Sequence, residues 1–268
     1  MSLSQSHSKS EILAIMQQDK NLAGANLQNM DLSQLDLSGA NLQGANLIGV
    51  DFSEANLSHI NAQNADLRGA CLQNADLSFT NLQNALLHRS QLQSCNLSNS
   101  NLGGAKLDLA CYDSQTKWPD NYDYRKCGAV GPYANLTGIF LNTANLRGLD
   151  LQGVNLRGAY LSGADFTEAN LEGAALSGAN LKYAYLTGAN LQNALLVGAQ
   201  LEGADLRATN LKGANLDRLE SIAGADFTYA QGLDDNTRAM LCSFPAQELG
   251  TWNAFTRSNT QVSLQAIN

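Results

Sequence analysis

Aromatic and charged side chains are both scarce in this chain of 268 residues, at 6% and 15%, and the apolar fraction of 44% rests mainly on Leu and Ala. An irregular globular core draws on a wider set of shapes, so this composition points to one packing unit used many times. Long apolar runs are lacking, and none approaches the ~20 residues that a spanning helix needs. The first residues, Met1 to His7, carry neither a basic end nor an apolar stretch; no secretory signal is read there, and the cytoplasm is the expected compartment. Five cysteines without a CxxC spacing fit reduced thiols better than a disulfide framework. The formal net charge of -8 opposes non-specific attachment to nucleic acid or to an anionic membrane, so neither is an expected partner.

Catalytic constellations are missing as well. His59 and His88 are far apart in the chain, no Cys/His spacing matches a zinc site, and Asp and Glu are scattered singly. No Gly-rich loop of the Walker or dinucleotide type occurs. These absences predict no catalytic residues, no metal and no cofactor, hence no enzyme.

What the sequence does have is a period of five. From Ala134-Asn135-Leu136-Thr137-Gly138 to Ala214-Asn215-Leu216-Asp217-Arg218, every fifth residue is Leu or, at Phe166, Phe. Two positions earlier stands in most units Ala or a residue little larger, such as Val154 or Thr209, and the position between is most often Asn or Asp. Neither a helix nor an alternating strand has that period. A first block shows the same pattern from Asn21 to Asp108, broken only at Ala62, where Ile60 replaces the usual Ala and is expected to fill the space that a central Leu would take.

A short strand followed by a sharp turn satisfies such a period if the chain turns by about ninety degrees at each unit. Four units then close a coil, and successive coils pair at the ~4.8 Å spacing of strands. Gly39, Gly44, Gly153, Gly158, Gly163 and Asn84 stand at the fifth position, where a corner calls for positive φ. Side chains twenty residues apart stack on one wall, so Lys182 and Glu202 are expected to pair, and Cys71 and Cys111 to share a wall two coils apart.

On these residues the chain resembles the pentapeptide repeat family. The resemblance implies an all-β solenoid, a right-handed quadrilateral β-helix, here of about nine coils at four units each. The segment from Tyr112 to Pro119 and the run from Thr237 to Ser243 also look like pieces of cyanobacterial members.

The domain boundaries follow. Residues 1–20 are read as an N-terminal capping helix, with Ser10 as its cap and Glu11 at the positive end of its dipole. The first repeat block covers 21–108, and the segment 109–133 is a loop insertion, since Tyr112 to Leu136 is one residue short of a multiple of five. The second block covers 134–230, with one extra residue near Leu219–Ile222. Residues 231–268 form a C-terminal helical cap and tail, its helix starting at Asp and stopping near Pro245, with Trp252 and Phe255 in a stretch of no clear period.

Two sets of aromatic residues stand out from this background. Trp118, Tyr122, Tyr124 and Arg125 lie in the insertion, where they either cover apolar surface or bind a partner. Phe140 and Tyr160 occupy the outward Asn/Asp slot one coil apart, with Tyr183 and Tyr185 close together further along, giving an aromatic patch that a cap covers or a partner uses.

Two functions fit. The first is a rigid, monomeric scaffold recognised by another protein. The second follows from family members that imitate B-form DNA and inhibit type II topoisomerases. Charge weighs against the second: a duplex of the expected ~43 Å length would carry roughly 25 negative charges. Residues 21–108 hold seven acids and three bases, and residues 134–217 hold seven acids and five bases.

Overall fold

A computed structural model describes residues 8 to 266. Met1 to His7, where no secretory signal was read, and the last two residues of the tail lie outside the described residues. The chain divides into two compact units, Met1–Val130 and Gly131–Asn268.

In both units the backbone pairs with itself, in parallel, twenty residues further on. The ladder Asn21, Asn41, Asn61, Asn81, Asn101 is one series, and Asn135, Asn155, Ala175, Leu195, Asn215 is another. A period of twenty built from steps of five means four steps per turn of the coil. Each step is a one-residue bridge followed by a turn, as at Leu22, whose carbonyl accepts from the Ala25 N–H at 3.0 Å while Gly24 between them has φ +65°. Hydrogen bonding from the fourth residue to the first, with positive φ only at the third, is type II geometry. Every corner residue named above has this backbone, including the non-glycine Asn84 at φ +58°.

The repeated triplet has a physical reason at each position. The central Leu points to the axis and is fully buried, as at Leu27, Leu82, Leu161 and Leu181. Each such side chain contributes roughly 1.5–3 kcal/mol before chain entropy is counted. Ala two residues earlier is also buried, filling the corner where a larger side chain would overpack. The Asn or Asp between them has two tasks on the outside. Its Oδ1 accepts the backbone N–H two residues on, as Asn21 does from Ala23 at 3.2 Å and Asp36 from Ser38 at 3.0 Å, which satisfies a turn amide. Its amide reaches the Asn one turn earlier, so Asn41, Asn61, Asn81 and Asn101 each donate to the preceding rung at 3.1–3.3 Å.

At the Ala62 irregularity both Ala62 and Ile60 are buried, in keeping with the large-for-small exchange. Cys71 and Cys111 share one ladder through Gln91, and all five cysteines are free thiols. Lys182 Nζ lies 3.0 Å from Glu202 Oε2, the expected pair.

In the first unit, α1 (Lys9–Gln17) buries Ile12. Its cap is Ser8 rather than Ser10: Ser8 Oγ accepts from the Glu11 N–H at 3.3 Å, and Glu11 Oε2 accepts from the Ser8 N–H at 2.7 Å. Glu11 three residues after Ser8 closes a capping box that Ser10 cannot form. The segment expected as a loop from 109 to 133 stays partly on the ladder. Lys117 pairs with Asn96, one residue late, and Val130 pairs with Cys111, one residue early. Only the stretch between them departs, and it contains a short 3-10 helix, Tyr124–Lys126.

In the second unit the extra residue expected near Leu219–Ile222 is seen as the pairing of Gln200 with Ser221, and Ile222 and Phe227 return to the axis, both buried. The rest is α2 (Asp235–Cys242), α3 (Ala246–Leu249), β1 (Trp252–Asn253), β2 (Ser258–Asn259) and α4 (Thr260–Gln265). The tail without a period is thus ordered: β1 and β2 form an antiparallel hairpin, and α4 packs against α2 and α3. These elements satisfy backbone groups of the last turns. Glu248 Oε2 accepts from the Ile222 N–H at 3.1 Å, Thr260 Oγ1 donates to the Ile222 carbonyl at 2.9 Å, and the Tyr229 N–H donates to the Ala266 carbonyl at 3.3 Å. No helix among the described residues is long and apolar enough to cross a membrane.

Candidate functional site

The first unit gathers the insertion aromatics into one cluster. Lys117 takes the place of Asn96 one turn on, so Trp118 follows into the slot that Leu97 holds in the turn before. Its ring is stacked with Tyr122 at 5.7 Å and with Tyr124 at 5.4 Å, and the edge-on ring of Tyr112 lies 5.3 Å away. Arg125 is exposed, with its guanidinium carbon 5.8 Å from the Tyr124 ring centroid. Burial pushes the Tyr122 hydroxyl well above the usual tyrosine range, with Cys127 adding to it. Asp113 fastens the cluster by accepting from Ser94 N and Oγ at 2.8 and 2.9 Å and from Thr116 N at 2.9 Å. Trp118, Tyr122 and Tyr124 are half-buried.

The second unit distributes the other four candidates over three positions. Phe140 and Tyr160 are successive rungs of one ladder that continues to Asn180 and Gln200. Their rings stack at 4.4 Å and 4° and remain 72% and 45% exposed. Tyr183 stands at a corner, with φ +57°. Tyr185 is on the next ladder, between Asp165 and Asp205, and meets Phe255 edge-on at 5.0 Å.

Beside Tyr183 and Tyr185 the hairpin forms a cleft of about 300 Å³, lined also by Glu202, Gly203, Asp205, Gly224, Trp252 and Phe255. The buried Asn253 holds the hairpin there: its Nδ2 donates to the carbonyls of Gly203 at 3.2 Å and Gly224 at 2.8 Å, and its Oδ1 accepts from Phe255 N at 3.0 Å and Thr256 N at 3.2 Å. Asp205, 2% exposed, receives Arg207 in a two-pronged contact at 2.7 and 2.8 Å and the Thr187 hydroxyl at 2.9 Å. The Glu202 carboxylate beside Lys182 holds that ammonium protonated above the usual lysine range. The periodic pattern did not reveal Glu202, Asp205, Asn253 and the two tail aromatics as neighbours. The one signal available was a pair of large aromatics, Trp252 and Phe255, in a stretch of no clear period.

Burial raises the thiols of Cys71, Cys95, Cys111 and Cys127, which leaves them protonated at neutral pH and poor nucleophiles. Among the described residues no group of three or more His, Cys, Asp or Glu side chains is placed to hold a metal ion.

Coils of four five-residue steps, each with an axial Leu and an outward Asn, define a pentapeptide solenoid, and the chain belongs to the pentapeptide repeat family. The family model, "Pentapeptide repeats", matches in eight copies over residues 21–58, 51–89, 70–108, 133–163, 144–182 and 184–218, more than half of the chain. No curated protein matches. Among solved structures, HetL, a pentapeptide repeat protein involved in heterocyst differentiation regulation in the cyanobacterium Nostoc sp. strain PCC 7120, is 30% identical over 85% of this chain and 99% of its own, with a TM-score of 0.41. A pentapeptide repeat protein of the Arabidopsis thaliana thylakoid lumen is 35% identical over 49% of this chain and 83% of its own, with a TM-score of 0.32. A variant of QnrB1, a plasmid-mediated fluoroquinolone resistance protein, is 23% identical over 74% of this chain and 86% of its own, with a TM-score of 0.25.

Proposed function

We propose that this protein is a non-enzymatic, monomeric scaffold of the cytoplasm whose second unit presents an aromatic surface to a protein partner. On this reading both units keep the right-handed, four-sided coil of the family, about nine turns between them at four units each. The observation that carries the proposal is the Phe140–Tyr160 stack, at 4.4 Å between centroids and 4° between planes on an outward ladder. Asn or Asp at these two rungs would satisfy the turn amides; Phe and Tyr give that up and leave large apolar rings in water. Exposed, rigid aromatics of this kind are the usual anchors of protein interfaces.

The test is affinity capture from a lysate of the source organism with the wild type, Phe140→Ala, Tyr160→Ala and Trp118→Ala. Specific partners lost with the first two variants and kept with the third support this surface. Partners retained by all the variants, or none captured, overturn it. Inhibition of gyrase supercoiling at low protein concentration would replace the scaffold with a topoisomerase modulator, a reading that the mixed charges of the repeat blocks disfavour.

A further inference from the structure

The cleft under the hairpin holds a second kind of surface, distinct from the Phe140–Tyr160 stack and independent of what that stack does. Three rings open onto it with faces in water: Tyr183 is 57% exposed, and Trp252 and Phe255 are each 61% exposed. Tyr185 backs Phe255 edge-on at 5.0 Å. Two carboxylates, Glu202 and Asp205, line the same space, and among the described residues no Lys or Arg does.

Charge decides which ligand fits. Glu202 and Asp205 line the cleft, and Asp226 is bridged to Asp205 on the next turn. The cations that face them are Lys182, 3.0 Å from Glu202, and Arg207, 2.7 Å from Asp205; Arg257 is exposed in the hairpin turn. Three carboxylates are thus met by two cations, Lys182 at Glu202 and Arg207 at Asp205. An anion would meet this excess and the negative faces of the rings, and an uncharged apolar ligand would have to strip water from Glu202 without replacing it. A soft, weakly hydrated cation gains from both the rings and the carboxylates.

We propose that the cleft formed by Tyr183, Tyr185, Glu202, Asp205, Trp252 and Phe255 is a binding site for an organic cation, a guanidinium or alkylated ammonium group. Its volume of about 300 Å³ accommodates such a head group with its stem leaving through the open side. The cation arrives either as a small molecule or as a side chain of a protein.

The experiment titrates the full-length protein with tetramethylammonium and methylguanidinium chlorides, at ionic strength held constant with sodium chloride, by ligand-observed NMR and calorimetry. tert-Butanol serves as the uncharged analogue. Saturable binding of the cations only, weakened about fivefold or more by Trp252→Ala and by Glu202→Gln in proteins with unchanged circular dichroism, supports the site. Tyr183→Ala provides the same test on the outer face should Trp252→Ala fail to fold. An equal response to tert-butanol, or cation binding undiminished in the folded variants, overturns it. Peptides containing arginine or trimethyllysine separate the sources: binding about tenfold tighter than the free head group assigns the site to a protein side chain, and equal binding assigns it to a small cation.

Discussion

The ring of Tyr183 lies flat across Gly203, the corner residue one turn further on. A Cβ at Gly203 would meet Tyr183 Cδ1 and stand 2.6 Å from Cε1, and Tyr133 covers Gly153 in the same way, with both ring carbons at 2.6 Å. At these two corners the ring occupies the space that a side chain on the next corner would need, whereas His59 and Phe79, also one turn apart at corners, stack ring on ring at 4.9 Å. Gly203 is also held by its φ of +66°, as most corners are. The position combines two demands, and they can be separated by mutation.

Gly203→Ala is expected to lower stability by about 2–4 kcal/mol, the sum of the left-handed backbone and the collision with the ring. Gly178→Ala, where φ is +66° but nothing lies within 4 Å, is expected to cost only the backbone part, about 1–2 kcal/mol. Urea denaturation of both, and of Tyr183→Ala/Gly203→Ala, checks this. The double variant should fall back to the cost of the uncrowded corner, and a loss equal to the sum of the two single changes would refute the coupling.

The axial position is tested at Leu181, which is fully buried. Leu181→Asp places a charge among Leu and Ala side chains with no partner, and is expected to cost more than ~3 kcal/mol or to abolish soluble expression. Denaturant unfolding like that of the wild type would contradict the inward assignment.

Ile60 and Ala62 exchange volume. Ala62→Leu alone should overpack the site by about 1–3 kcal/mol, and Ile60→Ala alone should leave a cavity costing about 2–5 kcal/mol. Combined, they restore the usual Ala and Leu of the repeat, and the melting temperature should recover most of either loss. Additive losses in the double variant would show that the two side chains do not share one space.

Asp113 supplies a pH dependence. Burial by itself pushes this carboxyl above the usual range, but the hydrogen bonds from Ser94, Thr116 and Gln115 together outweigh that, and it sits below the usual range. A depressed carboxyl stabilises the fold fully above its unfolded value of about 4, and that contribution is lost as pH falls through the folded value. Asp113→Asn should therefore be less stable than the wild type at pH 6, and the gap should close below pH ~4. A gap that stays constant down to pH 2.5 would rule out this role.

Much of the fold was legible because each turn of the coil makes the same demands at the same positions. The axial Leu, the corner φ, the Lys182–Glu202 pair and the shared ladder of Cys71 and Cys111 all follow from counting in fives and twenties. Counting fails where a contact is made by a segment outside the count. Asn253 joins Gly203 across fifty residues, and no periodicity predicts that a hairpin will carry Trp252 and Phe255 to Tyr183 and Tyr185. The same limit applies to the aromatic patch: spacing placed Phe140 on Tyr160, yet Tyr185, five residues out of step with that ladder, belongs to the neighbouring wall. At the N-terminus the cap was expected at Ser10, and the reach of Glu11 back to the Ser8 N–H places it at Ser8 instead.

Because pairing repeats every twenty residues while the interior repeats every five, the interior and the exterior obey different length rules. Adding or removing a single five-residue step between Tyr160 and Tyr183 would leave the axial packing unchanged and turn everything downstream by a quarter revolution, separating the two aromatic surfaces without disturbing either. Four steps would return them to register with one more storey between. Surface layout in such a chain can thus drift by indel while the core stays indifferent, which lets related proteins keep one architecture and display unrelated faces.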